Sequence, residues 1–253
     1  MKVLENRVAI VTGGAQGIGA AYCNGLANEG AKIVIADTSD GSALTQSICN
    51  NGGEAIYIKS DISREEDNQR MAEKTIESFG RIDILVANAG LYTNLERKIS
   101  IEETPQEWDA VMNVNIKGVW LSAKTVIPHM EKSGYGKIIN IASTAAFSGQ
   151  GHSTRYAASK AAVIGITRTM AREYGLKGIT INAIAPGPIE TTTPSEQADP
   201  NLQNRQAAII GRRSIKRLGM PDDVVGLCIF LASPESDFIT GQTIVVDGGS
   251  VLH

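Results

Sequence analysis

The stretch Val8-Ala9-Ile10-Val11-Thr12-Gly13-Gly14-Ala15-Gln16-Gly17-Ile18-Gly19 decides the fold class. It opens with a short β-branched run, closes on glycines, and leads into Ile18, Ala21, Tyr22, Gly25 and Leu26 at helical spacing. Glycine belongs where a tight turn demands positive φ or where backbone must approach a phosphate closely. The helix N-terminus that follows offers free N–H groups to an anion. The spacing G-x-x-x-G-x-G departs from the G-x-G-x-x-G dinucleotide fingerprint, so the strand–turn–helix context carries the nucleotide reading.

Outward from that stretch the alternation repeats. Lys32 to Asp37, Ala55 to Ile58, Ile82 to Ala87, Lys137 to Ala142, Ile179 to Ile184 and Thr243 to Val246 read as further strands. Met71, Ala72, Thr75, Ile76 and Phe79 mark one face of a helix ending near Gly80. In Thr104-Pro105-Gln106-Glu107 the threonine caps a helix, the proline suits its first position and the glutamate completes a capping box. Helices are also predicted across Tyr156 to Tyr174 and from Pro221 through Leu231. Seven strands alternating with helices predict an α/β fold, a doubly wound parallel sheet with helices on both faces. Strands such as Ile33 to Ala36 are apolar throughout, the pattern of burial on both faces. In such sheets ligands bind beyond the carboxyl ends of the strands, so functional residues should fall just after strands.

The 253 residues are read as one domain, 1–253, because no long Pro-, Ser- or Gly-rich linker divides them. A hydrophobic share of 42% with 20% charged residues excludes wholesale disorder. A net charge of −3 gives no global electrostatic reason to bind nucleic acid or an anionic membrane. No run approaches the ~18 apolar residues of a membrane span. Met1 to Arg7 is interrupted by charge and lacks the apolar core of a signal peptide. Cys23, Cys49 and Cys228 are far apart and odd in number, so neither a disulfide framework nor a zinc cage is expected. Reduced thiols in a cytoplasmic protein, and no bound metal, are the expectation.

Asp37 ends the second strand. A carboxylate there can accept hydrogen bonds from the adenosine ribose hydroxyls and would repel the extra phosphate of NADP. No Arg or Lys stands in the glycine turn or in Thr38 to Gly41 to receive a 2′-phosphate, which favours NAD.

Thr12-Gly13-x-x-x-Gly17-x-Gly19, Asn88-Ala89-Gly90, Asn115, Ser143, Tyr156-x-x-x-Lys160 and Pro186-Gly187 occur in the order of the short-chain dehydrogenase/reductase family, which the sequence resembles over essentially its whole length. The resemblance implies a Rossmann-type sheet and hydride transfer between NAD and a secondary alcohol or ketone. It implies cofactor contacts from Gly13, Gln16, Gly17, Ile18 and Gly19 in the turn, and from Asp37 after strand two. Asp61 and Ile62 after strand three match the adenine side, and Asn88, Ala89 and Gly90 follow strand four beside the cofactor. Tyr156 and Lys160 would meet the cofactor as well. Pro186, Gly187, Ile189 and Thr191 resemble the groups that hold the nicotinamide carboxamide. Asp83 matches a structural position. The chain departs from the family at Ala87, where a second Asn is common, and at Pro188, where a bulky residue is common.

Residue chemistry supports the reactive set. Tyr156 and Lys160 are four apart, on one helix face. A free phenol with pKa near 10 exchanges protons poorly near pH 7. Bringing it to neutrality asks for about 4 kcal/mol of preferential anion stabilisation. A lysine ammonium at ~5 Å supplies roughly 3 kcal/mol at an effective dielectric of ~20, and an oxidised nicotinamide's charge would add the rest. Ser143 stands at a strand end, where its hydroxyl can bond a substrate oxygen. Asn115 lies in an otherwise apolar helical stretch, where a polar amide needs a partner. The resemblance implies that it supports a proton relay through Lys160.

Substrate identity is expected to rest on the insertion near 188–218 and on Leu91 to Ile101 and Ala145 to Arg155, with Tyr92, Phe147 and His152 as candidate pocket residues. Arg212, Arg213, Lys216 and Arg217 form a basic cluster, either a solvated face or a site for an acidic carrier or anionic substrate. Two rival readings stand beside the NAD-dependent one: a 3-oxoacyl-carrier-protein reductase using NADPH, and a nucleotide-sensing scaffold without catalysis. The resemblance further suggests a homotetramer with a small-molecule substrate.

Overall fold

A computed structural model describes residues 2–92, 95–149, 151–191 and 202–252. The strands are β1 (Val8–Thr12), β2 (Lys32–Asp37), β3 (Ala55–Lys59), β4 (Ile84–Ala87), β5 (Gly136–Ile141), β6 (Ile179–Pro186) and β7 (Thr243–Val246). All pair in parallel in one sheet of order β3-β2-β1-β4-β5-β6-β7. This is the doubly wound sheet predicted from the apolar runs. Strand order reverses between β1 and β4, which opens a crevice beyond their carboxyl ends.

Two apolar layers enclose the sheet, and alternate residues of each strand serve opposite layers. Val8 and Ile10 pack with Val34, Leu85 and Ile138 on one face. That layer is closed by α3 (Glu65–Phe79), α5 (Val119–Ser133) and α7 (Thr154–Tyr174), through Met71, Val126, Met130 and Val163. Ala9 and Val11 pack with Ile33, Ile35 and Val86 on the other. There α1 (Gly17–Asn28) supplies Tyr22 and Leu26. α2 (Ser42–Asn50) supplies Ile48, and α9 (Asp222–Ala232) supplies Val224 and Leu231. Each such side chain, once fully buried, contributes about 1.5–3 kcal/mol.

The remaining helices are α4 (Pro105–Met112), α6 (Ala145–Ser148) and α8 (Leu202–Arg212). Thr104 caps α4 with the capping box read from the sequence. α4 runs into a π-helical segment, Asn113–Gly118, and then into α5. Part of the 188–218 insertion, expected as loop, is helical in α8, while positions 192–201 lie outside the described residues. α2 was likewise not predicted. Both give little to the core: α2 buries only Ile48, with Leu44 packed beside it, and α8 buries nothing. β4 starts two residues later than predicted. Asp83, just ahead of it, turns its carboxylate to Arg7, Arg81 and the Val8 amide.

Candidate active site

The crevice floor is two interlocked turns. The Thr12 hydroxyl at the end of β1 accepts the backbone N–H groups of Asn88 and Ala89, both at 3.1 Å. The Asn88 side-chain amide donates to the carbonyls of Thr12 and Gly13, at 3.0 Å each. Gly13 has φ +62°, and a Cβ there would lie 2.8 Å from Ala89 Cα, so only glycine lets the turns close. α1 then begins at Gly17 with no side-chain cap on Gln16 and no acidic residue in its first turn. Its N-terminal N–H groups are left to an outside acceptor. Thr191, beyond β6, comes against this turn: a Cβ on Gly17 would stand 3.4 Å from its Cγ2.

Asp37 is buried and already hydrogen-bonded. Its carboxylate accepts from the Ala15 N–H at 3.0 Å and the Ser39 N–H at 2.9 Å, tying the end of β2 to the glycine turn. Asp61 accepts from the Ser63 N–H and hydroxyl. Ile62 turns its side chain inward, against Gly118. Beyond β6, Gly187 donates to Val246, Ile189 bridges to Gly219, and Arg213 donates to the Pro188 carbonyl.

A second cluster lies beyond β4 and β5. Tyr156 and Lys160 stand in the first turns of α7, Ser143 follows β5, and Asn115 sits in the π-helical segment. Such wide turns recur at functional sites. The Ser143 hydroxyl lies beside the Tyr156 phenol and accepts the Ala145 N–H at 3.2 Å. Lys160 Nζ donates to the Ile141 carbonyl at 2.7 Å and lies 5.8 Å from the centre of the Tyr156 ring. The fully buried Asn115 amide accepts from the Leu91 N–H at 2.7 Å and donates to the Leu91 carbonyl and to Ser159 Oγ. Ser159 Oγ in turn donates to the Tyr156 carbonyl at 2.7 Å. Gly90 borders both groups: a Cβ there would stand 3.2 Å from Asn115 Oδ1 and 3.5 Å from Lys160 Nζ.

In the protein alone, burial dominates the electrostatics of this pair. Burial pushes the Tyr156 phenol well above its ordinary value; the Ser143 hydroxyl beside it pulls it down and Tyr92 adds to the rise. Burial also pushes Lys160 down to about 8. In the protein alone, desolvation therefore outweighs any lowering of the tyrosine by the lysine. Burial is a tertiary property that the spacing of two residues does not reveal.

Tyr92, a candidate pocket residue, lies with its ring 4.9 Å from that of Tyr156. Phe147 packs against the core instead, and His152 is exposed. The basic cluster is not one solvated face. Arg213 is buried and donates to Arg217 and Pro188, while Arg217 pairs with Asp223 at 2.6 Å. Thr12 and Ser159 carry more of the geometry than the sequence reading assigned. Their signal was position: one precedes the glycine turn, the other stands three residues after Tyr156. Among the described residues no group of His, Cys, Asp and Glu side chains could hold a metal ion, and no helix is long and apolar enough to cross a membrane.

A family model described as enoyl-(acyl carrier protein) reductase matches residues 13–251. A 2-dehydro-3-deoxy-D-gluconate 5-dehydrogenase of Dickeya dadantii is 39% identical over 248 residues, 97% of this chain and 96% of that one. A 3-oxoacyl-[acyl-carrier-protein] reductase of Thermotoga maritima is 37% identical over 251 residues, covering 98% and 99%. A crystal structure from Beutenbergia cavernae, described as an NAD(P)-dependent gluconate 5-dehydrogenase with NADP bound at low occupancy, superposes with a TM-score of 0.89 at 35% identity over 98% of this chain and 97% of that one. Sheet, turns and these likenesses agree: the chain belongs to the short-chain dehydrogenase/reductase family of nicotinamide-dependent oxidoreductases.

Proposed function

We propose that the chain transfers a hydride between NAD(H) and a secondary alcohol/ketone pair, with Tyr156, Ser143, Lys160 and Asn115 as its reactive set. The observation that carries this reading is the cluster beyond β4 and β5, where the Tyr156 phenol, beside the Ser143 hydroxyl, shares a helix face with the buried Lys160 ammonium, 5.8 Å from its ring centre. The relatives' names support the coarse class, since they are dehydrogenases and reductases.

The switch-point residues fit a dinucleotide. The uncapped, unneutralised start of α1 suits a pyrophosphate, and Gly13, Gln16, Gly17, Ile18 and Gly19 would hold it. Asp37 would face the adenosine ribose; Asp61 and Ile62 would border the adenine. Asn88, Ala89 and Gly90 would line the middle of the cofactor, and Pro186, Gly187, Ile189 and Thr191 the nicotinamide end. When bound, the cofactor supplies the hydride acceptor or donor and, oxidised, a positive charge.

The protein's own groups manage the proton. In oxidation Tyr156, as phenolate, takes the proton from the alcohol oxygen; in reduction its hydroxyl returns one to the ketone oxygen. Ser143 donates to that same oxygen and fixes its direction. The Lys160 ammonium favours the phenolate and also meets the ribose. Asn115, by gripping the Leu91 backbone and Ser159, supports the relay and the geometry around Lys160.

Asp37 supports NAD over NADP, because its buried carboxylate would repel a 2′-phosphate. A second reading, reduction of a carrier-bound 3-oxoacyl chain with NADPH, draws on the Thermotoga maritima relative's name. The same proposal takes residues 1–253 as one domain with its substrate loop near 188–218, acting in the cytoplasm as a homotetramer; light scattering checks the assembly. The deciding assay compares NAD(H) with NADP(H) over a panel of secondary alcohols, ketones and 3-oxoacyl thioesters. The proposal expects turnover with NAD(H), and a weakened, less selective use of it in Asp37→Ala. Turnover with NADPH and oxoacyl substrates alone would give the second reading, and cofactor binding without any turnover a silent scaffold.

A further inference from the structure

α7 starts without a cap of its own. Ser153, its N-cap residue, makes no side-chain hydrogen bond to the helix's first turn, and that turn holds no acidic residue. That bare turn is the one that carries Tyr156. Glu103, from the connection between β4 and α4, fills the gap. Its carboxylate accepts the backbone N–H of Arg155, 3.3 Å from Oε2, and the Arg155 guanidinium, 2.8 Å from Nη1 to Oε1. Arg155 Nη2 donates to the Glu96 carbonyl at 2.9 Å. The two side chains are only 3% and 4% exposed, and Arg155 Nε is buried without a partner among the described residues.

A buried pair of this kind is a weak stabiliser, since desolvation of both charges offsets their attraction. What it fixes is direction. A carboxylate suits a helix N-terminus, and this one arrives from an element that is itself anchored. Thr104, the next residue, caps α4, and Lys98 pairs with both Glu96 and Glu107. Past the far end of α4, Asn115 donates to Ser159, and Ser159 donates to the Tyr156 carbonyl. Tyr156 thus sits between two ties from one arm, Glu103 to Arg155 just before it and Asn115 to Ser159 just after.

We propose that Glu103 and Arg155 are positioning residues: a cap lent across the fold that holds the first turn of α7, and with it the direction of the Tyr156 phenol, against the β4–α4 connection. The inference rests on the Tyr156 reading above, so its test includes a readout that needs no turnover. In the full chain, Glu103→Ala, Glu103→Gln, Arg155→Met and Arg155→Lys are compared by amide hydrogen exchange and steady-state kinetics. With Glu103→Ala or Arg155→Met, amides of residues 154–158 are expected to exchange about tenfold faster, as for a lost helix cap, while residues 162–174 keep their protection. The kcat is expected to fall about tenfold to a hundredfold, the scale of a small misplacement of a reacting group, with KM for the dinucleotide unchanged. Arg155→Lys, which keeps a cation for Glu103 and gives up Glu96, should recover most of the loss. Unchanged exchange at 154–158 overturns the proposal, as does a wild-type kcat in variants whose melting temperature has dropped. If Glu103→Ala does not fold, Glu103→Gln decides by the same two readouts, and no change in either overturns it. A wild-type chain silent toward every alcohol and ketone would fail the Tyr156 reading instead, and the exchange result alone would then decide the cap.

Discussion

The two ends of the sheet treat buried charge in opposite ways. At the amino end the buried ions Asp83 and Lys137 each have a counter-ion. Asp83 is fully buried, and its carboxylate gathers Arg7, Arg81 and the Val8 N–H. Lys137, buried at the start of β5, pairs with Asp237 at 2.7 Å and with Ser236. At the carboxyl end of the same strand, buried Lys160 meets a backbone carbonyl, and burial pushes it down to about 8. The phenol beside it is pushed up. The amino end pairs its charges and so holds the fold; at the carboxyl end the Lys160 ammonium meets a carbonyl where Lys137 meets a carboxylate, which leaves its charge to act on a bound cofactor and a moving proton. Perturbed groups gathered in a cleft mark a functional site with a physical cause.

If that contrast is right, substitutions at the two ends should separate activity from stability. The largest effect is expected from Tyr156→Phe. Losing the proton donor should lower kcat by about a thousandfold, the scale of general acid–base catalysis, with the melting temperature and dinucleotide affinity near wild type. Wild-type turnover would remove the tyrosine from the mechanism. The next effect belongs to the amino end. Asp83→Ala strands two arginines and a buried N–H, and should destabilise the fold by about 3 kcal/mol. Urea midpoints measure this, and kcat per folded molecule should not move. A loss of kcat in the folded fraction would mean that the two ends are not separable.

Much of this division was legible in the sequence. β2 is apolar throughout because both faces are buried, so periodicity and position found it without error. The glycine turn, Ser143 at a strand end and the four-residue spacing of Tyr156 and Lys160 are local patterns, and they mark the crevice. What escaped was whatever depends on distant partners. Glu103 and Arg155 are 52 positions apart and belong to no motif, so their pairing appears only once α4 and α7 pack. Arg213 looked like part of a charged surface because the sequence does not show that Pro188 and Arg217 carbonyls surround it. The upward push of burial on the tyrosine in the protein alone escaped for the same reason. A lysine four residues away is visible in the sequence; the desolvation that outweighs it is not.

The smallest expected effect tests the contrast most sharply, because its sign is reversed. Lys160 is buried as a cation, and its folded value of about 8 lies below the ordinary 10.5. Between those values the unfolded chain holds more protons than the folded one, so stability rises with pH through this window. Below pH 8 the full penalty is present, and above 10.5 the amine is neutral in both states and the penalty is gone. Lys160→Met removes the penalty but strands the Ile141 carbonyl, which gives back about 1 kcal/mol. The variant should therefore be more stable than wild type by about 2 kcal/mol at pH 7, with the difference shrinking as pH climbs from 8 toward 10.5, and it should lose most of its turnover. Chemical denaturation across that pH range measures the difference. If Lys160→Met is less stable than wild type at neutral pH, the ammonium holds the fold together as Asp83 does, and the carboxyl end keeps no charge in reserve.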